Sequence, residues 1–87
     1  MLDRNTRCSF AQLRALLVDL GFHFRVTSES NVIFELPEAR TRLYLPPFSD
    51  SDSVDLVNLV IVARNLDERG ILPRSEFEKL LRGEQVG

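Results

Sequence analysis

Residues 21–47 read GFHFRVTSESNVIFELPEARTRLYLPP, and the alternation within this stretch decides the fold. Phe22, Phe24 and Val26 alternate with His23 and Arg25. Val32, Phe34 and Leu36 alternate with Ile33 and Glu35, and Leu43 and Leu45 with Arg42 and Tyr44. A period of two sends one set to a buried face and the other to an open one, so each run predicts a half-buried strand. The turns Thr27–Asn31 and Pro37–Ala39 are short enough to make both connections hairpins, hence antiparallel. Pro46-Pro47 ends the third strand, because proline has no N–H for a ladder.

Helical segments precede and follow this stretch in the chain. Ser9 followed by Gln12 matches a capping box, and Phe10, Leu13, Leu16, Leu17 and Leu20 recur at helical spacing, leaving Arg14 and Asp19 outside. Gly21 then suits the left-handed residue that stops a helix over 10–20. Beyond the sheet, FSDSDS (48–53) is dense in capping residues. Asp50, Ser51 and Asp52 can each accept a helical N–H, and Asp52 and Asp55 suit the positive end of the dipole. A second helix is predicted over 53–69, stopped by Gly70. Leu56, Leu59, Val60, Ala63 and Leu66 form its stripe, but Val57, Ile61 and Val62 widen the apolar surface past one face. Such a helix is buried on two sides or meets another subunit. Pro73 and Glu76 open a third helix with Phe77, Leu80 and Leu81 inward and Gly83 as its stop.

The expected fold class is therefore α+β, in the order α-β-β-β-α-α, with a three-stranded antiparallel sheet whose helices pack on one face. Eighty-seven residues make a single domain over 1–87, with 1–8 and 84–87 as frayed termini.

Composition narrows the function classes. The chain is 44% hydrophobic and 28% charged with net charge −2, which is ordinary for a soluble protein. Residues 1–47 carry six Arg against five acids, and residues 48–87 carry five bases against eight acids. No global positive field exists, so any contact with nucleic acid depends on a local patch. Cys8 is the lone cysteine and reads as a free, inert thiol in a reducing interior. The opening residues lack the apolar run of a signal peptide, and no stretch approaches the ~20 apolar residues of a bilayer span. A cytoplasmic protein without a membrane partner is expected. His23 is the only histidine, and Asp50, Asp52 and Asp55 lack the glycine and distal glutamate of an EF-hand loop, so neither metal nor cofactor is expected.

Two groupings bear chemistry. His23 points outward from its strand, where a side chain is placed as a candidate general acid or base. Arg25, Arg40, Arg42 and Tyr44, with Ile33, share the open sheet face, a basic-aromatic surface of the kind that holds phosphates and stacks bases, diluted by Glu35 and Glu38. The last two helices, joined through Glu68-Arg69-Gly70, superficially suggest a helix-turn-helix. Glu76 and Glu78 stand where that reading helix meets phosphates, which argues against it.

The helix, the Gly21-Phe22 step, the triple strand and the Leu45-Pro46 ending together resemble the HicA-like family, over roughly residues 9–70. Those are small toxins with a double-stranded-RNA-binding-domain-like fold built on an α-β-β-β-α core. In the family a Gly-Ser-His turn opens the second strand and supplies the histidine associated with RNA cleavage. Here Ser28-Glu29-Ser30 stands at that turn, with Ser30 or Glu29 in the histidine's place, and the segment ARNLDERGILPRSEFEKLL adds a helix beyond the family core. A serine hydroxyl needs a separate base before it can act. The resemblance thus implies a non-catalytic binding module that contacts RNA or a partner protein such as an antitoxin, through Arg25, Ser28, Ser30, Arg40, Arg42 and Tyr44. The alternatives are an mRNA-cleaving toxin with a rearranged site drawn from His23, Glu29 and Ser30, or a homodimerisation or protein-interaction domain working through the helix at 53–69.

Overall fold

The computed structural model describes residues 7–81. Its elements are α1 (Phe10–Asp19), β1 (His23–Val26), β2 (Val32–Leu36), β3 (Thr41–Leu45), α2 (Leu56–Glu68) and α3 (Arg74–Leu81), with one 3₁₀ turn at Pro37–Ala39. The order is the expected α-β-β-β-α-α, and the sheet is antiparallel with β2 in the middle.

The start of α1 shows how local chemistry sets a boundary. Ser9 Oγ accepts from the Gln12 amide at 3.2 Å, and Gln12 Oε1 accepts from the Ser9 amide at 2.9 Å, a complete capping box. Two further amides of the first turn find backbone acceptors on the loop after β3. Phe10 N donates to Asp52 O (2.8 Å) and Ala11 N to Asp50 O (3.1 Å). Val54 N donates in turn to Cys8 O (2.8 Å), and Ser9 and Ser53 form an isolated bridge. The loop is thereby stitched to the beginning of the helix. At the other end Gly21 has φ +104°, a conformation that glycine adopts without penalty.

One core joins everything. The inner strand residues Val32, Phe34, Leu36, Leu43 and Leu45 meet Phe10, Leu13 and Leu17 of α1, Leu59, Val62, Ala63 and Leu66 of α2, and Phe77 and Leu81 of α3. Phe34 is wholly buried, with ring centroids 6.2 Å from Phe10 and 5.2 Å from Phe24. Contacts of this kind between tilted rings contribute about 0.5–1.5 kcal/mol beyond area burial.

Several local expectations are corrected. Frayed termini were expected over 1–8, yet Cys8 is buried among the core residues; 1–6 and 84–87, with the expected stop at Gly83, lie outside the described residues. Helix α2 begins at Leu56 rather than 53, capped by Asp55, whose carboxylate accepts from the Asn58 amide (3.4 Å) and side chain (2.6 Å). Asp52 instead accepts from the Ser49 amide at 2.7 Å, and Asp50 pairs with Arg14. Leu80 and Val26 are exposed rather than inward: α3 presents only Phe77 and Leu81 to the core, and Val26 ends an edge strand. Val60, Val57 and Ile61 are likewise exposed, so α2 is buried on one side only.

Removing the Ser9 hydroxyl breaks one half of the capping box. Ser9→Ala is expected to lower stability by about 1 kcal/mol, seen as a lower denaturant midpoint with an unchanged slope. A neutral result would assign the start of α1 to the Asp50 and Asp52 carbonyls instead.

Candidate functional site

The register of the sheet arranges its open face in two cross-strand rows. His23, Glu35 and Arg42 stand opposite one another in one row, and Arg25, Ile33 and Tyr44 in the next. Glu35, on the central strand, is the hub. Its carboxylate takes Arg25 Nε at 2.6 Å diagonally and Arg42 Nε at 3.2 Å directly across. Arg42 extends the chain by donating from a terminal guanidinium nitrogen to Tyr44 Oη at 3.3 Å. These donors, the Arg25 hydrogen bond foremost, hold the Glu35 carboxyl below the usual glutamate range. Ile33 is only 6% exposed although it belongs to the open face. It is flanked in register by Arg25 and Tyr44, side chains long enough to close over it while their polar ends stay in water.

Arg40 sits at the end of this face, one residue before β3. Its φ of +53° places it in the left-handed region, unusual for a residue with a side chain. With Glu35, Pro37, Thr41 and Arg42 it lines an open pocket of about 250 Å³. Arg25, Arg40, Arg42 and Tyr44 are thus all on or beside one surface, and all are exposed. Two guanidinium groups, those of Arg25 and Arg42, hold the Glu35 carboxylate there, Arg40 lines the adjoining pocket, and Tyr44 offers an accessible ring, with Glu38 exposed in the turn beside Arg40.

The turn between β1 and β2 is a separate place. Ser30 N donates to Thr27 O and Thr27 N to Asn31 O, both at 2.9 Å, while Asn31 N donates to Thr27 Oγ1 at 3.1 Å. Ser30 closes the turn at φ +68°, a position that favours glycine or asparagine. Ser28, Glu29 and Ser30 are exposed. His23 begins β1 and the turn follows its last residue, so the imidazole lies about 10 Å or more along the strand from the turn. The structure therefore does not bring His23 together with Glu29 and Ser30. In place of that histidine, Ser30 shares a cleft of about 410 Å³ with Phe24, Phe48, Arg14 and Asp50.

Arg14 escaped the sequence reading, which left it in solvent. Its guanidinium lies 5.6 Å from the ring centroids of both Phe10 and Phe24 and binds the Asp50 carboxylate through two nitrogens. The pairing holds the Asp50 carboxyl below its ordinary range. The spacing Phe10-to-Arg14, one helical turn, was the available signal. Cys8 is buried, and burial pushes its thiol up to about 11, so it is protonated and unreactive at neutral pH. Among the described residues no group of three His, Cys, Asp or Glu side chains could hold a metal ion, and no helix is long and apolar enough to cross a membrane.

Two measurements probe these features. Ser30→Gly relieves left-handed strain of roughly 1–2 kcal/mol and adds about 0.4–1 kcal/mol of unfolded-state entropy, so a net gain in stability near 0.5–1 kcal/mol is expected from denaturant unfolding. Loss of stability would mean that the Ser30 side chain itself supports the turn. For Glu35, a carboxyl depressed in the folded state contributes stability above its unfolded pKa of about 4.3, and that contribution is lost as pH falls through the lower folded value. Between neutral pH and strong acid, Glu35→Gln should therefore lose less stability than the parent chain; parallel acid profiles would sink the clamp.

Comparison with known proteins returns no matching family model, no matching curated protein and no matching solved structure.

Proposed function

We propose that the chain is a small, non-catalytic, HicA-like binding module whose open sheet face contacts single-stranded RNA in a toxin–antitoxin-like setting. The observation that carries this reading is the pairing of Arg25 and Arg42 with Glu35 on one open face, with Arg40 lining the adjoining pocket and a Tyr44 that is 62% exposed. Guanidinium groups match phosphate oxygens in pairs, and an exposed ring offers a base a stacking surface. Glu35 leaves the face net positive while fixing the directions of Arg25 and Arg42. The separation of His23 from the Ser28-Glu29-Ser30 turn supports a binding role over a nuclease one. The same excess of arginine suits an acidic antitoxin-like protein, which is the second reading.

The test is a titration of single-stranded oligoribonucleotides by fluorescence anisotropy at several salt concentrations. Arg40→Ala and Arg42→Ala should each weaken binding and flatten the salt dependence by about 0.7 in log–log slope per lost phosphate contact. Tyr44→Ala should weaken it by about fivefold or more, the smaller end of one base–ring stack. Unchanged affinity in all three variants would remove RNA from this face. RNA cleavage abolished by His23→Ala or Ser30→Ala would replace the binding reading with an enzymatic one.

A further inference from the structure

Strand β3 pairs with β2 along one side, and among the described residues no strand covers the other. Helix α2 runs beside that uncovered edge. Arg42, Leu43, Tyr44 and Leu45 share a groove of about 220 Å³ with Ile61 and Asn65. Because Leu43 and Leu45 belong to the inner face and Arg42 and Tyr44 to the outer one, a groove lined by both faces straddles the free edge of the strand. Next to it α2 exposes Val57 (66%), Val60 (38%) and Ile61 (46%), spaced as one helical stripe. Edges are ordinarily blunted by charge, proline or a bulge. Here the register with β2 is continuous from Thr41 to Leu45, the prolines stand only after it, and Arg42, the one charge within the strand, is paired with Glu35 on the open face.

We propose that this surface is occupied by a second copy of the chain: the two β3 strands pair antiparallel about a two-fold axis, and the two α2 stripes meet alongside. The register follows from the sequence of the strand. Paired residues must share a face, so the axis falls on Arg42, Leu43 or Tyr44. On Arg42 it sets two guanidinium groups directly opposite each other, which is unfavourable. On Tyr44 it draws Pro46 into the ladder, where it cannot donate. On Leu43 it sets Arg42 opposite Tyr44 of the second copy, a cation beside a ring, and Thr41 opposite Leu45 on the apolar side. Only this arrangement is complementary throughout. A five-residue edge by itself falls short of the roughly 800 Å² per partner that a stable interface buries, and the helix stripes supply the apolar remainder. The pairing joins the two open faces into one six-stranded surface, but it does not depend on what that surface binds.

Sedimentation equilibrium without RNA, from low micromolar to submillimolar protein, tests it. The full chain should be a dimer at the upper end. Val57→Glu and Ile61→Glu, both at exposed positions and checked for folding by circular dichroism, should weaken the dimer at least about tenfold by placing charge in an apolar contact. Tyr44→Arg should dissociate it by opposing Arg42 of the second copy, whereas Tyr44→Glu should preserve it. A monomer throughout, including one that takes up an extended peptide at this edge, overturns the proposal. So does a dimer indifferent to Ile61→Glu, and equal effects of Tyr44→Arg and Tyr44→Glu overturn the register.

Discussion

The strict alternation of β2 organises this molecule. Phe34 points inward from the central strand, is wholly buried, and meets the rings of Phe10 and Phe24. Glu35, its neighbour, points outward and gathers Arg25 and Arg42. Because side chains alternate strictly along a strand, one placement determines the other. A slip of one residue would bury the carboxylate among phenylalanines and send Phe34 to water. The burial of Phe34 therefore fixes which charges assemble on the open face, and it does so through a strand hydrogen-bonded on both sides.

Sequence logic reached the features that follow from periodicity and failed where geometry between distant residues decides. Alternation placed Ile33 outward correctly but could not show that Arg25 and Tyr44 flank it closely enough to bury it. The capping reading of FSDSDS was right about the density of acceptors and wrong about which ones act. Asp50 is drawn to Arg14 across 36 residues, and the carbonyls of Asp50 and Asp52, which carry no side-chain signature, satisfy the start of α1. The left-handed residues were equally hidden. Glycine or asparagine would have announced those conformations, whereas Ser30 and Arg40 do not. Among the site residues, the grouping of Arg25, Arg42 and Tyr44 was readable from strand parity, whereas Arg40 followed only from its closeness in sequence to β3. The distance between His23 and the turn needed only the rise of a strand.

The strain at Arg40 and the clamp at Glu35 make sense together. A left-handed arginine weakens the hairpin that contains it, and exposed ion pairs such as those of Glu35 contribute little to stability because water screens them and long side chains must be held still. Neither feature is explained by folding. They sit among the guanidinium groups of the face: Glu35 restrains Arg25 and Arg42, and the left-handed Arg40 lines a pocket with Glu35 and Arg42. Side chains already restrained lose less entropy when a ligand arrives.

The Glu35 clamp also constrains what the β3 edge can accept. A partner strand added to β3 lies next to Arg42 and Tyr44, the two outward residues of that strand, and must not disturb the Glu35 clamp. Pairing through β3 satisfies this requirement, because Arg42 reaches Glu35 from the covered side and Tyr44 of a second copy approaches from the other. Among the described residues the free edge of β1 offers no comparable neighbour: its outward residues are His23 and Arg25, and α1, which contacts it, exposes Val18 but no stripe like Val57, Val60 and Ile61. The two edges of this small sheet are therefore chemically unequal. The apolar stripe of α2 is surplus to the core of one chain, and at Ile61 it meets the groove along the β3 edge.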